Sequence, residues 1–362
     1  MKPFRISFLV LIAISRLPAQ PENADTSNFG VLRGYVRDQT FFIALDSSDA
    51  CLYIKRGDYR LQLKDFKGAK ADYTVALYMD PVSNGILDNR AYAFYNRGSA
   101  EFKLEEFTQA EKDYTEAILF DQDNPFIYFS LGRVRIKLGN LQTAIIAFDR
   151  AIELSPKFRD ALFERANANY EYRNYPASVL DYTTVIELGG YTADAYYCRA
   201  RAKIMAGDFS GALVDDTRAI ELKPGYLEAY NNRGTAKNQL EDHVGAIQDF
   251  DKVIELDPNN YDAYINRGPT KFKLNDRKSA LSDLSTAISI HPEKAEGYNN
   301  RGIVRFYSRD YKGALEDYNK AIELKPDYTD AYFNRALLYE KKGEKKLAEQ
   351  DRNSVNLYRK NQ

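Results

Sequence analysis

Apolar positions along most of the chain recur at the three- and four-residue spacing of amphipathic helices, interrupted by short polar links. One stretch predicts a first helix over Tyr261–Leu274 and a second over Arg277–Ile290, with only a few residues between them. A link this short forces two neighbouring helices to run antiparallel. The pattern therefore predicts a helical hairpin, and it recurs on both sides of this stretch.

The hairpin pattern has a fixed period, marked by a small residue that follows motifs such as Tyr-Asn-Asn-Arg. Eight of these small residues follow one another at steps of 34 residues. Gly57 precedes the first of them by 41 residues, which gives nine units with a seven-residue insertion at 84–90. Glycine inside a helix costs about 0.5–1 kcal/mol relative to alanine, so small residues kept at this place indicate close helix packing. The eight positions are Gly98, Gly132, Ala166, Ala200, Gly234, Gly268, Gly302 and Ala336.

Further positions keep the same period. A second small residue, such as Ala246, stands twelve places after each marker, aromatic residues such as Tyr264 and Phe250 recur beside them, and a proline such as Pro258 closes most units. Spacing, small residues, aromatic residues and terminal proline together resemble the tetratricopeptide repeat family, over residues 50–362. The resemblance implies an all-α fold, a right-handed α-solenoid (superhelix) of antiparallel helix pairs, with a concave groove lined by the first helix of each unit.

The two ends of the repeat array differ from its middle. Residues 20–49 carry no repeat and are predicted to be a linker or a cap on the first unit. A solenoid needs a polar outer face at its end. In the last unit Lys345 and Arg352 replace apolar or aromatic residues of earlier units, so this unit is predicted to act as the C-terminal cap.

The first 19 residues have the pattern of a signal peptide. Lys2 and Arg5 precede a short apolar stretch, and Ala19 is a small residue suited to a cleavage site. The apolar stretch is shorter than the roughly 20 residues that span a bilayer, although a retained anchor stays as the alternative. We therefore expect export, to a periplasm or out of the cell, and no integral membrane segment after cleavage.

Composition and motifs argue against nucleic-acid binding, metal binding and catalysis. The chain carries 51 Lys and Arg against 52 Asp and Glu, a net charge of −1, so it has no basic field for nucleic acid. Two histidines and two cysteines are too few for a zinc cluster or a disulfide framework, and we expect no metal and no cofactor. No phosphate-binding glycine loop, nucleophile elbow or metalloprotease motif occurs. The sequence predicts that the protein is not an enzyme.

An arginine stands directly before the small residue in eight units, and an aspartate follows each arginine sixteen places later. The third unit breaks both columns together, with Leu131 and Ala147. Loss of both charges in the same unit predicts structural ion pairs within units rather than between them. A role for the arginines in ligand binding is the alternative. The predicted pairs are Arg56–Asp72, Arg97–Asp113, Arg165–Asp181, Arg199–Asp215, Arg233–Asp249, Arg267–Asp283, Arg301–Asp317 and Arg335–Asp351.

An asparagine precedes the arginine in five units, on the predicted groove side. An amide can donate to and accept from a peptide backbone at once, without reading side chains. The column is similar to the asparagine ladder of tetratricopeptide proteins that hold extended peptides by their main chain; solvated polar residues are the alternative. The other units depart from it with Lys55, Ser130, Glu164 and Cys198. The five asparagines are Asn96, Asn232, Asn266, Asn300 and Asn334.

Acidic residues occupy the first turn of six first helices, where a negative charge interacts favourably with the helix N-terminus. They would also repel an acidic ligand. The chaperone-adaptor members of the family bind a terminal carboxylate through lysine and asparagine, and the matching places here, such as Asn231 with Thr235, never carry that couple. We predict no chaperone-type carboxylate clamp. The six acids are Asp160, Asp194, Glu228, Asp262, Glu296 and Asp330.

These patterns predict a protein-interaction scaffold that binds an extended peptide or protein segment of unidentified origin in its groove. The alternative is a structural component of a cell-envelope assembly that uses the convex face or the helix edges. One local departure affects stability: Asp216 occupies a place filled by Phe148 and Phe250 in other units, so the fifth unit should pack less well.

Overall fold

The structure is a computed structural model that describes residues 28–79, 89–189 and 192–360. Within these ranges the chain forms 19 α-helices and no β-strand. The predicted signal peptide at 1–19, residues 20–27 of the N-terminal segment and residues 84–88 of the insertion lie outside the described residues. The fold is an all-α solenoid of antiparallel helix pairs, as the sequence predicts.

Nine helix pairs follow a single N-terminal helix, α1 (Asn28–Leu45), in the described ranges. In eight of these pairs, all but α8 and α9, the two helices pack against one another, and within each of the two compact units described next the second helices from α3 onward, apart from α7, pack against the following first helix. The chain divides into two compact units, residues up to Ala161 and residues from Leu162. The pairs are α2 and α3 (Ala50–Gln62, Phe66–Tyr78), α4 and α5 (Arg90–Lys103, Phe107–Phe120), α6 and α7 (Pro125–Lys137, Leu141–Leu154), α8 and α9 (Arg159–Glu171, Tyr175–Glu187), α10 and α11 (Thr192–Met205, Phe209–Leu222), α12 and α13 (Leu227–Gln239, His243–Leu256), α14 and α15 (Tyr261–Lys273, Arg277–Ile290), α16 and α17 (Ala295–Tyr307, Tyr311–Leu324), and α18 and α19 (Thr329–Lys342, Lys345–Lys360).

Short aspartate-capped links join the two helices of most pairs. Asp208 and Asp242, for example, accept hydrogen bonds from the backbone N–H three residues later, which satisfies a donor that the start of a helix leaves free. In several links the residue two places before the second helix, such as Glu241, has a positive φ that reverses the chain direction. These tight reversals hold the two helices of a pair antiparallel.

Helix α1 packs on the first repeat like the second helix of an incomplete repeat. Its Tyr35 ring lies 5.0 Å from that of Tyr59, and Thr40 accepts a hydrogen bond from Arg56 over 3.2 Å. The spacing of 16 residues between Thr40 and Arg56 is the one found between Thr183 and Arg199 in a later pair of repeats. Residues 28–45 therefore form a helix that packs on the first repeat.

The small residues sit where an aromatic ring meets the helix backbone. A Cβ added at Gly132 would lie 2.5 Å from the Phe148 ring, and one added at Gly302 would lie 2.6 Å from the Tyr318 ring. Both rings are fully buried. The rings of the second helices thus pack directly on the first helices, which explains why the marker is glycine or alanine.

Replacing Gly132 with alanine is expected to lower the free energy of unfolding by about 1–3 kcal/mol, because Phe148 has to leave its packed position. Gly34 provides the matched control, since it also lies in a helix but its added Cβ would meet nothing within 4 Å. Alanine at Gly34 should be neutral or stabilise by up to about 1 kcal/mol through helix propensity. Urea denaturation followed by circular dichroism measures both; equal effects of the two substitutions would contradict the packing role.

The last repeat exposes charge where earlier repeats bury rings. Lys345 and Arg352 are both exposed, and Arg352 forms an ion pair with Glu340. This arrangement suits the end of a repeat array. Among the helices of the described ranges, none has both the length and the apolar character needed to cross a bilayer.

Candidate functional site

The arginine and aspartate columns meet within repeats. In each of eight repeats the guanidinium donates to both carboxylate oxygens of the aspartate sixteen residues later, and the shortest N–O distances are 2.6–2.7 Å. Every one of these aspartates is buried. A bidentate pair between a guanidinium and a buried carboxylate is geometrically specific as well as strong. In the third repeat Leu131 and Ala147 instead join one apolar cluster.

Five of the aspartates bind a second cation that the sequence analysis missed. Lys237, for example, lies 2.9 Å from Asp249, on the helix that also carries Arg233. The signal was present in the sequence, because the second cation stands four residues after the arginine and therefore on the same helix face. The five cations are Arg60, Lys203, Lys237, Lys271 and Arg305.

In six repeats the arginine also reaches the second helix of the preceding repeat, and Arg56 of the first repeat reaches α1. Arg233 donates to the Thr217 hydroxyl over 3.2 Å, and Arg335 donates to the Asn319 amide oxygen over 2.7 Å. One guanidinium thus links its own repeat internally and attaches it to the repeat before it. The donors of these guanidinium groups are therefore engaged in contacts within the chain.

The first helices form a shared surface in the unit from residue 162 onward. Helices α10, α12, α14 and α16 each contact the next first helix directly, whereas the second helices of this unit make no comparable contact with each other. The closer approach of the first helices places them on the inner side of the local curve. The asparagine column of the last four repeats lies on these helices.

Two of the predicted asparagines line one open cavity. Asn266 on α14 and Asn300 on α16 border a cavity of about 540 Å³, together with Tyr261, Asp262 and Glu296, among other residues. Neither amide forms a hydrogen bond with another described residue. Both amides are therefore available to a ligand.

The other three asparagines are differently placed. Asn334 donates to the side-chain oxygen of Asn299 over 2.9 Å, and Asn96 donates to the backbone oxygen of Tyr92 over 3.1 Å. The amide nitrogen of Asn232 is buried beside Asp216 and forms no hydrogen bond of good geometry, although it is near enough to lower the pKa of that carboxyl. The structure therefore brings Asn266 and Asn300 together as a free pair and gives the remaining members of the column different surroundings.

The six acids in the first turns of the first helices are all exposed. Asp194 accepts a hydrogen bond from the Tyr226 hydroxyl over 2.8 Å. Asp262 and Glu296 border the cavity that holds the asparagine pair and form no ion pair with a described residue. The acidic column therefore gives this part of the surface a negative edge.

Asp216 is fully buried, and neither of its carboxylate oxygens has a hydrogen-bond partner among the described residues. Burial, followed by repulsion from the charge of Asp215, raises the pKa of Asp216 to about 9. Arg233 and the Asn232 amide act in the opposite direction, but they do not offset burial. The aspartate at this aromatic position is therefore protonated at neutral pH.

The unit up to Ala161 presents a different surface on its first helices. A cavity of about 220 Å³ is lined by residues that include Phe102, Phe129 and Phe158. The guanidinium of Arg133 lies 5.2 Å from the Phe102 ring and 5.7 Å from the Phe129 ring. The sequence analysis missed this aromatic cavity, because the three phenylalanines come from two different helices and a link.

Comparisons with known proteins identify the repeats directly. Models of the tetratricopeptide repeat match residues 91–124, 125–158 and 227–260, and a further model of the same repeat matches residues 305–343. The first three matches coincide with units of the 34-residue period. Comparison with curated protein sequences gives no match.

Solved structures of repeat proteins are similar to parts of this chain, and one of them shares its fold with a TM-score above 0.5. A tetratricopeptide repeat protein from Parabacteroides merdae is 19% identical, with a TM-score of 0.56, over 72% of this chain and 99% of its own. YrrB, described as a tetratricopeptide repeat protein with an unusual peptide-binding site, is 24% identical over 51% of this chain and 95% of its own, with a TM-score of 0.45. MamA of Desulfovibrio magneticus is 23% identical over 48% of this chain and 98% of its own, with a TM-score of 0.42. The repeat matches and the helix pairs together show that the chain belongs to the tetratricopeptide repeat family.

Proposed function

We propose that this chain binds an extended segment of a partner protein on the first-helix surface of its last four repeats, mainly through the peptide backbone of that segment. Tetratricopeptide repeats are protein-interaction scaffolds, which gives the general class. The observation that carries the finer proposal is the pair of unoccupied amides, Asn266 and Asn300, that line one open cavity. Amides at equivalent places of successive repeats suit the regular donors and acceptors of an extended main chain.

The remaining chemistry of the surface agrees with binding rather than catalysis. The arginines beside the asparagines are held by buried aspartates, so they keep the helices in register and leave the amides as the free polar groups. We further propose that the partner is met after export, in a periplasm or outside the cell, because of the signal-like sequence at 1–19.

Replacing Asn232, Asn266, Asn300 and Asn334 together with alanine is expected to abolish selection of peptides from a phage-displayed library of random linear peptides. The substitutions remove every amide of the asparagine column in these repeats, and with them the proposed contacts to the main chain of the peptide. The measurement is enrichment over successive selection rounds on immobilised protein, followed by fluorescence anisotropy with the enriched peptides. Methylating the backbone nitrogens of a bound peptide should weaken binding in the same way, because it removes main-chain donors.

A matched control lies on the second helices of the same four repeats. Gln248, Ser282, Glu316 and Gln350 are exposed and follow the same 34-residue spacing. Their joint replacement with alanine should leave selection unchanged. Enrichment by the asparagine variant equal to that of the wild type, with unchanged circular dichroism, would refute the amide column as the binding surface.

A role in an envelope assembly is the second candidate, and exposed aliphatic residues favour it. Leu180 and Val214, at equivalent places of successive second helices, are 66% and 65% exposed. Exposed apolar side chains on this face suit contact with another protein. Replacing both with serine should disrupt such an assembly and leave peptide selection intact, which analytical ultracentrifugation and the library selection distinguish.

A further inference from the structure

The cavity between α14 and α16 has side-chain chemistry beyond its two amides. Its lining includes the Tyr261 and Tyr328 rings, the carboxylates of Asp262 and Glu296, and Lys294. With two carboxylates and one ammonium, the charged groups of the lining sum to −1. A side chain that entered this cavity would therefore meet aromatic surface and a net negative charge.

The Tyr261 ring already binds a cation from its own chain. The Lys294 ammonium lies 4.0 Å from the ring centroid, within the range of a cation–π contact. Gly297 stands where most other first helices carry alanine, and a Cβ added there would lie 2.9 Å from Ile288 and 3.8 Å, an ordinary contact distance, from the Tyr261 hydroxyl. The glycine thus leaves room for Ile288, and the Tyr261 hydroxyl lies near it.

The hydroxyl of Tyr261 is a second, independent sign of an absent partner. Tyr261 is only 8% exposed, and its hydroxyl forms no hydrogen bond of good geometry with a described residue, although the nearby Gly297 backbone N–H acts to lower its pKa. Burial, together with the nearby carboxylates of Glu296 and Asp262, raises the pKa of Tyr261 to about 12. The hydroxyl therefore stays protonated and sits beside two carboxylates that form no ion pair with a described residue.

We propose that this cavity accepts the side chain of a lysine or arginine residue of the bound peptide, which would pair with Asp262 and Glu296 and pack against Tyr261. This inference rests on the proposed function and adds a side-chain preference to it. The asparagines hold the main chain, whereas the cavity selects one basic residue along it. Acidic residues in the first turns of the neighbouring first helices repel negatively charged segments and reinforce the preference.

The test is a selection from the same phage-displayed library of random linear peptides on the wild-type chain and on an Asp262→Asn, Glu296→Gln variant. The wild type is expected to enrich peptides that contain lysine or arginine. Their affinity should fall about tenfold in the variant, since two partly exposed charge contacts are removed. Exchanging the basic residue of an enriched peptide for norleucine should weaken binding to the wild type to a similar degree and have little effect in the variant.

Glu228 and Asp330 provide the matched control, because they occupy the same helical place in neighbouring repeats but do not line this cavity. The Glu228→Gln, Asp330→Asn variant has the same net charge as the test variant and should keep most of the affinity. An equal loss of peptide affinity in the two variants would show that the overall negative charge of the surface, rather than this cavity, selects basic residues. If the enriched peptides lacked basic residues, the side-chain preference proposed for the cavity would be refuted and the proposed function would stand. If no peptide were enriched, the proposed function would be refuted as well.

Discussion

Replacing Asp216 with leucine is expected to raise the free energy of unfolding by about 2–4 kcal/mol at pH 8. The wild-type carboxyl is fully buried without a hydrogen-bond partner among the described residues, and it occupies a place that other repeats fill with a ring or with leucine, as at Leu284. Leucine at this place removes the cost of burying the polar group and restores apolar contact. Urea denaturation followed by circular dichroism measures the difference.

The stabilisation by leucine at position 216 should depend on pH. The direction of this dependence follows from the proton that Asp216 holds in the folded chain. Its pKa of about 9 in the folded chain lies above that of an exposed aspartate, so between about pH 4 and pH 9 the folded state binds a proton that the unfolded state has released. The contribution of this group to stability is therefore present in acid and is lost as the pH rises, by up to about 1.4 kcal/mol per pH unit. Leucine should stabilise much less at pH 5 than at pH 8.

Asp330, which is exposed, provides the control for this pH dependence. Its replacement with asparagine should leave the slope of stability against pH unchanged. A benefit from leucine at position 216 that is the same at pH 5 and pH 8 would mean that the buried carboxyl holds no extra proton in the folded chain.

The identity of Asp216 was visible in the sequence, but its lack of a partner was not. In three other repeats the tyrosine at the equivalent place bonds to the residue fifteen positions earlier, as in the 2.6 Å contact between Tyr182 and Asn167. The same spacing from Asp216 leads to Arg201, an obvious ionic partner. Arg201 instead lies 4.5 Å from the Tyr170 ring and 5.7 Å from the Tyr197 ring. Such competition between partners depends on neighbouring repeats and cannot be obtained from spacing.

The fold was predictable because one repeated spacing encodes it many times. The helix predicted over Tyr261–Leu274 runs over Tyr261–Lys273, and its partner has the predicted bounds, Arg277–Ile290. The arginine and aspartate columns were found for the same reason, since loss of both in the third repeat identifies the two partners. The contact from an arginine to the preceding second helix uses different residue types, such as Thr217 in one repeat and Asn319 in another. It therefore leaves no column of identical residues in the sequence.

The candidate site was predictable only in part. The sequence identifies the five asparagines, but whether an amide is free depends on what neighbours it in the folded chain. Asn300 lines a cavity, whereas Asn334, one repeat later, is already bonded to Asn299. The carboxylates of Asp262 and Glu296 are ordinary helix-start residues in the sequence. Their position beside an unpartnered tyrosine hydroxyl emerges only when the two repeats are stacked.

Replacing Asp317 alone with alanine is expected to cost about 3–5 kcal/mol, because it leaves buried cationic groups without their carboxylate. The Asp317 side chain is 3% exposed and binds two guanidinium groups, at 2.7 Å from Arg301 and 2.9 Å from Arg305. Replacing Arg301 with leucine should cost less, since Arg305 still pairs with the aspartate. Urea denaturation of each variant gives both values.

The third repeat shows why the double variant should be much milder than the sum of its parts. There Leu131 and Ala147 lie in one apolar cluster, and Arg135, the equivalent of Arg305, pairs with Glu111 of the preceding repeat. The Arg301→Leu, Asp317→Ala variant copies that composition into the eighth repeat, where Arg305 keeps its 3.2 Å hydrogen bond to the Gly313 backbone oxygen. We expect a coupling free energy of about 2–3 kcal/mol between the two substitutions. If the losses of unfolding free energy in the two single variants add up in the double variant, the two charges act independently. The third repeat would then not have lost its arginine and aspartate as a coupled pair.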